Sequence, residues 1–402
     1  MPNLKDGLCE WTETVSSKMP HLSKSQAAVL ALYSFGMVLT QSCGLSRIVA
    51  LLGYLLGKKE NTLRQQLREF NYDSADKRGE KRCSLEVERS FGALLGWVLS
   101  WWTSDEKRLA LTLDATSWRD VFVVLAISVV YRGCAIPVAW VVLPAGKKGA
   151  WRPHWERLLS LLSAQVPTDW MVIVLADRGL YAKWLYRRLQ KQHWHPFLRI
   201  KEQGFFREKG GAGYQAFQGW TTADRPFYAG RITAFKSQDA KLRCTLLACL
   251  AEGASEPWLI LTDLPPDVAE IAWYGMRSWI EAGFKDVKRG GFGWHHTKMT
   301  DPQRASRLWL VMAVATLWSL SVGGYAEAEL PPSSLPFLPP YFPYRVPPPT
   351  PSQPRTLSCF LRGGMIILAA LLKGDALPFG DFVPLPWPTF PRPAAPSSNT
   401  YP

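Results

Sequence analysis

The sequence predicts an α/β protein: a mixed sheet covered by helices, carrying a β-rich insertion and preceded by an all-α N-terminal domain. Three observations carry this. The texture changes near Arg108 from helical periodicity to apolar strands, and the strands then alternate with amphipathic helices. Two isolated aspartates, Asp114 and Asp177, each end one of those strands.

Composition bounds the rest. The 402 residues are 47% hydrophobic, enough for a sizeable core and more than one domain. Forty-seven Lys and Arg against 33 Asp and Glu leave a formal charge of +14, spread along the chain, which favours a polyanionic partner, nucleic acid first. Seven cysteines without a CxxC pair fit a reducing cytoplasm and indicate neither a disulfide framework nor a zinc site. The N-terminus has no basic segment followed by an apolar run, so no secretory signal is expected. The most apolar segments, Leu308 to Val322 and Leu357 to Leu372, fall short of the ~20 residues of a membrane span, so buried helices and a cytoplasmic protein are expected.

Residues 1–105 read as a helical DNA-binding domain. Ser23, with Gln26 three residues on, has the form of a capping box opening a helix through AAVLALYSFGMVL. SRIVALLGYLL, the basic turn GKKE and NTLRQQLREF then read as a helix-turn-helix, whose second helix carries Arg64 and Arg68, or equally as an ordinary αα-hairpin. NYDSADKRGEK is polar enough for a loop, and LEVERSFGALLGWVLSWW restores the helical period.

Residues 106–202 hold the first part of the core. RLALTLD, VFVVLAISVVY and CAIPVAWVVLP are three strands, with a turn at Arg132-Gly133. Trp151 to Val166 is an amphipathic helix, WMVIVLA a buried strand delivering Asp177, RGLYAKWLYRRLQKQ a basic helix, and HPFLRIK another strand. Three strands, helix, strand, helix, strand is the order of the ribonuclease H-like fold. Residues 203–262 turn Gly-rich and then alternate as strands, the β-rich insertion. Residues 263–325 return to the core, with glycines in RGGFGW breaking one helix and Asp301-Pro302 starting a long apolar one. Residues 326–402 form a Pro-rich tail: extended or disordered at both ends, a spacer in character, with a short apolar helix between.

The remaining stretch, Tyr274 to Lys288, is expected to be one α-helix. At about 100° per residue, Tyr274, Arg277 and Lys288 fall at roughly 20°, −40° and −20° from Glu281. A solvated charged face has the same residue types, and Asp114 and Asp177 also suit strand-end turns or helix caps. In the inferred fold, however, the first and fourth strands are neighbours. Their ends therefore bring Asp114 and Asp177 together, and Glu281 arrives on a helix at that edge. Three converging carboxylates repel one another unless a cation neutralises them. Oxygen-only ligation without histidine points to Mg2+ or Mn2+, and two such ions suit phosphoryl transfer.

These residues resemble the DDE transposases of bacterial insertion sequences, in the group marked by Y-x2-R-x3-E-x6-K. Tyr274, Arg277, Glu281 and Lys288 meet that pattern in full; LDATSW and ADRGLY are similar to the group's first and second aspartate motifs. The resemblance covers about Leu109 to Val322, the N-terminal helices loosely and the tail hardly at all. It implies binding of terminal inverted repeats as a homodimer, hydrolysis of the donor strand and attack on target DNA by the freed 3′-hydroxyl. It assigns Asp114, Asp177 and Glu281 to metal and catalysis, Arg277 and Lys288 to DNA phosphates, and Tyr274 and Arg178 to the same DNA-binding region. Some members hold a flipped base on a tryptophan of the insertion; Trp220 is the candidate, with core packing as the alternative role. A metal-dependent nuclease without strand transfer and an inactive DNA-binding derivative are the competing functions.

Overall fold

The computed structural model describes residues 2–78, 83–146, 150–222, 224–250, 256–330 and 356–389. Five helices come first: α1 (Pro2–Lys18), α2 (Lys24–Thr40), α3 (Leu45–Leu56), α4 (Glu60–Phe70) and α5 (Arg89–Ser100). Ser23 caps α2 with a reciprocal capping box to Gln26, as its sequence expects. Helix α1 is an addition to the sequence reading. Its signal was the four-residue spacing of Trp11, Val15 and Met19, all fully buried.

The strands follow: β1 (Arg108–Trp118), β2 (Phe122–Tyr131), β3 (Cys134–Pro144), β4 (Met171–Ala176), β5 (His195–Arg199), β6 (Phe205–Glu208), β7 (Gln215–Ala216), β8 (Phe227–Ala234), β9 (Leu242–Cys249) and β10 (Trp258–Thr262). Helix α6 (Arg152–Ser163) leads into β4, and α7 (Lys183–Lys191) joins β4 to β5. All ten strands form one mixed sheet in the order β3-β2-β1-β4-β5-β10-β9-β8-β6-β7. Its first five strands pair antiparallel, antiparallel, parallel and parallel. The β-rich segment extends this sheet, because β10 pairs antiparallel with β5.

The register matters most at β1 and β4. Leu113 lies opposite Ala176 in the parallel pair, so the next residue on each strand is Asp114 and Asp177. Strand β4 stops there while β1 runs on to Trp118.

The stretch before Glu281 departs from expectation. Ile271–Ser278 is a 3-10 helix, and only Trp279–Val287 (α8) is α-helical, with Lys288 just past its end. The sequence IAWYGMRS, rich in aromatic residues and centred on Gly275, has weak α-propensity, and its side chains are drawn into the sheet. Helix α8 lies close on β3: a Cβ at Gly283 would stand 2.9 Å from that of Ala135.

Helix α9 (Pro302–Ala328) is longer than the apolar run foretold and is long and apolar enough to cross a membrane. The most apolar part of it is 94% buried inside the protein, so its surroundings are the core. Helix α10 (Cys359–Lys373) crosses it where Gly323 meets the Cys359 carbonyl and Gly363 meets that of Ser319, a spacing only glycines allow.

The end of the tail corrects the spacer reading. Residues 376–389 are extended but docked: Phe382 is fully buried, its N–H donates to the Trp101 carbonyl (2.7 Å), and its carbonyl accepts from the Thr103 N–H (3.0 Å). Arg132 Nε donates to the Val383 carbonyl at 2.7 Å, and Trp387 packs on Trp273 with centroids 4.9 Å apart. Apolar area outweighs the proline composition here. The Pro-rich residues 331–355 and 390–402 lie outside the described residues.

Candidate active site

Three carboxylates meet around one guanidinium. Arg277 Nη2 is 2.8 Å from Asp114 Oδ2 and 3.8 Å from Asp177 Oδ2, and Nη1 is 2.6 Å from Glu281 Oε1. The strand register supplies the first two acids. The third stands one helical turn beyond Arg277, a spacing that survives the change from 3-10 to α-helix.

Each aspartate divides its two oxygens. Asp114 Oδ1 accepts from the Ala115 N–H at 2.8 Å; Asp177 Oδ1 accepts from Gly179 and Leu180 at 3.0 and 3.1 Å, closing a turn. The turn role and the site role coexist in Asp177, while Asp114 lies within β1 and not at its end; in both, Oδ2 faces Arg277. Burial, the larger effect, holds the Asp114 carboxyl above its ordinary range; Arg277 pulls it down, while Asp177 and Glu281 push it up. Burial works against the charge on Arg277, yet Asp114, Tyr274, Glu281 and Asp177 together raise its pKa.

A metal would find oxygen donors only, the preference of Mg2+ or Mn2+. Among the described residues no three such side chains already stand close enough together to hold an ion. Arg277 occupies the space between them. The fit therefore lies in the donor set and its convergence, and it requires Arg277 to leave.

The other expected residues divide. Lys288 reaches β1: its Nζ donates to Thr116 Oγ1 at 2.5 Å and to the Ser117 carbonyl at 2.7 Å, where β1 continues past β4. Burial and then Arg289 lower its pKa. Tyr274 is buried and not on the surface. It is 4% exposed, packs edge-on against Trp258, and aims its hydroxyl at the Ala176 carbonyl (3.4 Å), directly before Asp177. Burial pushes its phenol up, so it stays a donor. It sits on the 3-10 helix with its side chain buried.

Arg178 pairs with Glu256 at 2.5 Å. Trp220 is packed. Phe206 and Tyr228 meet it edge-on at 4.9 and 5.8 Å, and Arg225 covers a face at 3.7 Å while donating to its carbonyl. A base stacking there would have to displace Arg225 or use the other face. Asp286 lies on the packed side of α8 and is 7% exposed.

Sequence reading missed the basic surface that follows Lys288. Arg289, His295, His296, Lys298 and Arg304 line a cleft together with the α3–α4 pair. The density of cations and histidines in KRGGFGWHHTKMTDPQR was the available signal.

The transposase DDE domain family matches residues 114–318, and no curated protein matches the chain. The match begins at Asp114, spans Asp177, Arg277 and Glu281, ends within α9 and takes in just over half of the sequence. The chain therefore belongs to the transposases that carry a DDE domain, enzymes of phosphoryl transfer on DNA.

Proposed function

We propose that this DNA transposase binds the terminal inverted repeats of an insertion sequence, cuts the strand at each end and joins the freed 3′-hydroxyl to target DNA. The observation that carries the reading is the convergence of Asp114, Asp177 and Glu281 on Arg277. The strand order β3-β2-β1-β4-β5, with its parallel β1–β4 pair, supports a ribonuclease H-like core beneath it. Two element ends must be held for one insertion, so we assign a homodimer on DNA, with residues 1–105 as the recognition domain.

Divalent metal ions are typical of the family. Asp114, Asp177 and Glu281 would hold two Mg2+ or Mn2+ ions, which when bound activate the attacking water or hydroxyl and stabilise the leaving oxygen. The chain's own residues do the rest. Asp114 and Asp177 are fixed by backbone donors on one oxygen, so the other is aimed before substrate arrives. Arg277 exchanges its carboxylates for a DNA phosphate, which clears the acids and clamps the strand in one movement. Lys288, seated on Thr116 and Ser117, holds a neighbouring phosphate. Tyr274 keeps the strand end that carries Asp177 in place.

The test is an incubation of the protein with a plasmid bearing its gene and flanking DNA, a target plasmid and Mg2+. Element ends joined to target and bordered by short direct duplications are the expected product. Nicks without joining would make the enzyme a nuclease. Binding without nicking in Mg2+ or Mn2+ would make it an inactive derivative.

A further inference from the structure

A cleft of about 1090 Å3 opens where the segment after Lys288 faces the N-terminal helices, and it has two walls. One is the α3–α4 pair, bringing Arg47, Arg64 and Arg68; the other is the segment after α8, bringing Arg289, Lys298 and Arg304. Against these six cations the lining holds a single carboxylate, Asp301, whose Oδ1 is engaged by the Arg304 N–H at 2.7 Å as the cap of α9. Among the described residues Arg47, Arg68, Arg289 and Lys298 have no ion-pair partner.

The walls are fixed to each other. The Cys43 N–H donates to the Phe292 carbonyl at 2.6 Å. Tyr72 accepts at its hydroxyl from Arg68 Nη2 (2.7 Å), while Arg304 lies over its ring at 4.3 Å. The cleft is fixed to the acids as well: Trp118 Nε1, at the end of the strand bearing Asp114, donates to the His295 carbonyl at 2.9 Å. Arg289 follows Lys288 directly in the chain. So many unneutralised cations do not suit an apolar small molecule, whose sites are mostly hydrophobic. A fixed cationic cleft suits phosphates.

We infer that this cleft is a DNA-backbone site: one strand of the duplex lays its phosphates along it, from Lys288 beside the acids to Arg47 on α3. The inference rests on the function proposed above and deepens it. The path makes the helical pair and the acids of one chain act on the same stretch of duplex. It also gives the segment 289–304 a DNA-binding role.

The test compares three full-length proteins by anisotropy of a labelled duplex of mixed sequence, titrated across salt in Ca2+. They are wild type, a cleft triple variant (Arg47→Gln, Arg289→Gln, Lys298→Gln), and a control that removes equal charge outside both the cleft and residues 1–105 (Arg187→Gln, Lys191→Gln, Lys373→Gln). All six positions are exposed, so thermal melting should be unchanged. The cleft variant should show a salt slope shallower by about 2–3 and an affinity roughly ten- to a hundredfold lower. The control should lie near wild type. Equal losses in both variants would overturn the cleft and leave the function standing, because diffuse charge would then carry binding. A wild type that binds no duplex would overturn both readings.

Discussion

Arg277 and Asp114, 163 residues apart in the chain, face each other at 2.8 Å, and the same guanidinium is shared with Asp177 and Glu281. An arginine thus stands where the metal site proposed above needs a cation. It keeps three acids together in a half-buried site without letting them repel one another.

Arg277→Met should make the free protein bind Mn2+ more tightly. Opposite charges about 4 Å apart interact by ~4 kcal/mol at an effective dielectric of 20, and even a third of that is roughly a tenfold gain. The same variant should melt earlier, since three acids lose their partner, and should cut DNA more slowly, since a phosphate clamp is gone. Titration by Mn2+ paramagnetic resonance without DNA checks the first point. Unchanged affinity would mean that Arg277 does not compete for the acids.

Tyr274→Phe removes one long hydrogen bond to the Ala176 carbonyl, so stability should fall by less than about 1 kcal/mol and duplex affinity should not move. Tyr274→Ala empties a buried site and should cost about 3–5 kcal/mol. Denaturant melts and anisotropy measure both. An affinity loss in Tyr274→Phe at unchanged stability would return the residue to the DNA surface.

Much of the core was legible because its signals are local. Apolar runs ending in Asp114 and Asp177 mark strands, and alternation with helices sets which strands are neighbours. Arg277 as the hub was not legible, because an ion pair across 163 residues depends on the register of β1 with β4 and on where a 3-10 helix ends. The inward turn of Tyr274 follows from that same helix. Trp220 shows a different limit: sequence gives an aromatic residue but not the ring of neighbours, Phe206, Tyr228 and Arg225, that decides whether its face is open. In the tail, proline content describes the backbone and says nothing of Phe382 and Trp387, whose partners lie far away in the chain.

Phe382→Ala should lower stability by about 3–5 kcal/mol, as for other fully buried aromatic side chains, although the residue sits in a Pro-rich tail. Thermal melting of the full chain measures it. A change below about 1 kcal/mol would restore the tail to a spacer.

Trp220→Ala should act through packing. The insertion should lose about 2–3 kcal/mol, less than a fully buried tryptophan, with the aromatic contacts to Phe206 and Tyr228 gone. Hydrogen exchange over β6 and β8 should quicken. Slower DNA processing at unchanged exchange would instead assign the ring to a base.

The most direct measurement is strand nicking at a labelled element end in Mg2+ by wild type and Glu281→Gln, beside duplex binding in Ca2+. The substitution keeps the shape of a 59% exposed side chain and removes its charge. Nicking should fall by orders of magnitude, because one acid of the metal-holding set is lost, while binding stays within about twofold of wild type. Undiminished nicking by Glu281→Gln would contradict the assignment of Asp114, Asp177 and Glu281 as the catalytic acids.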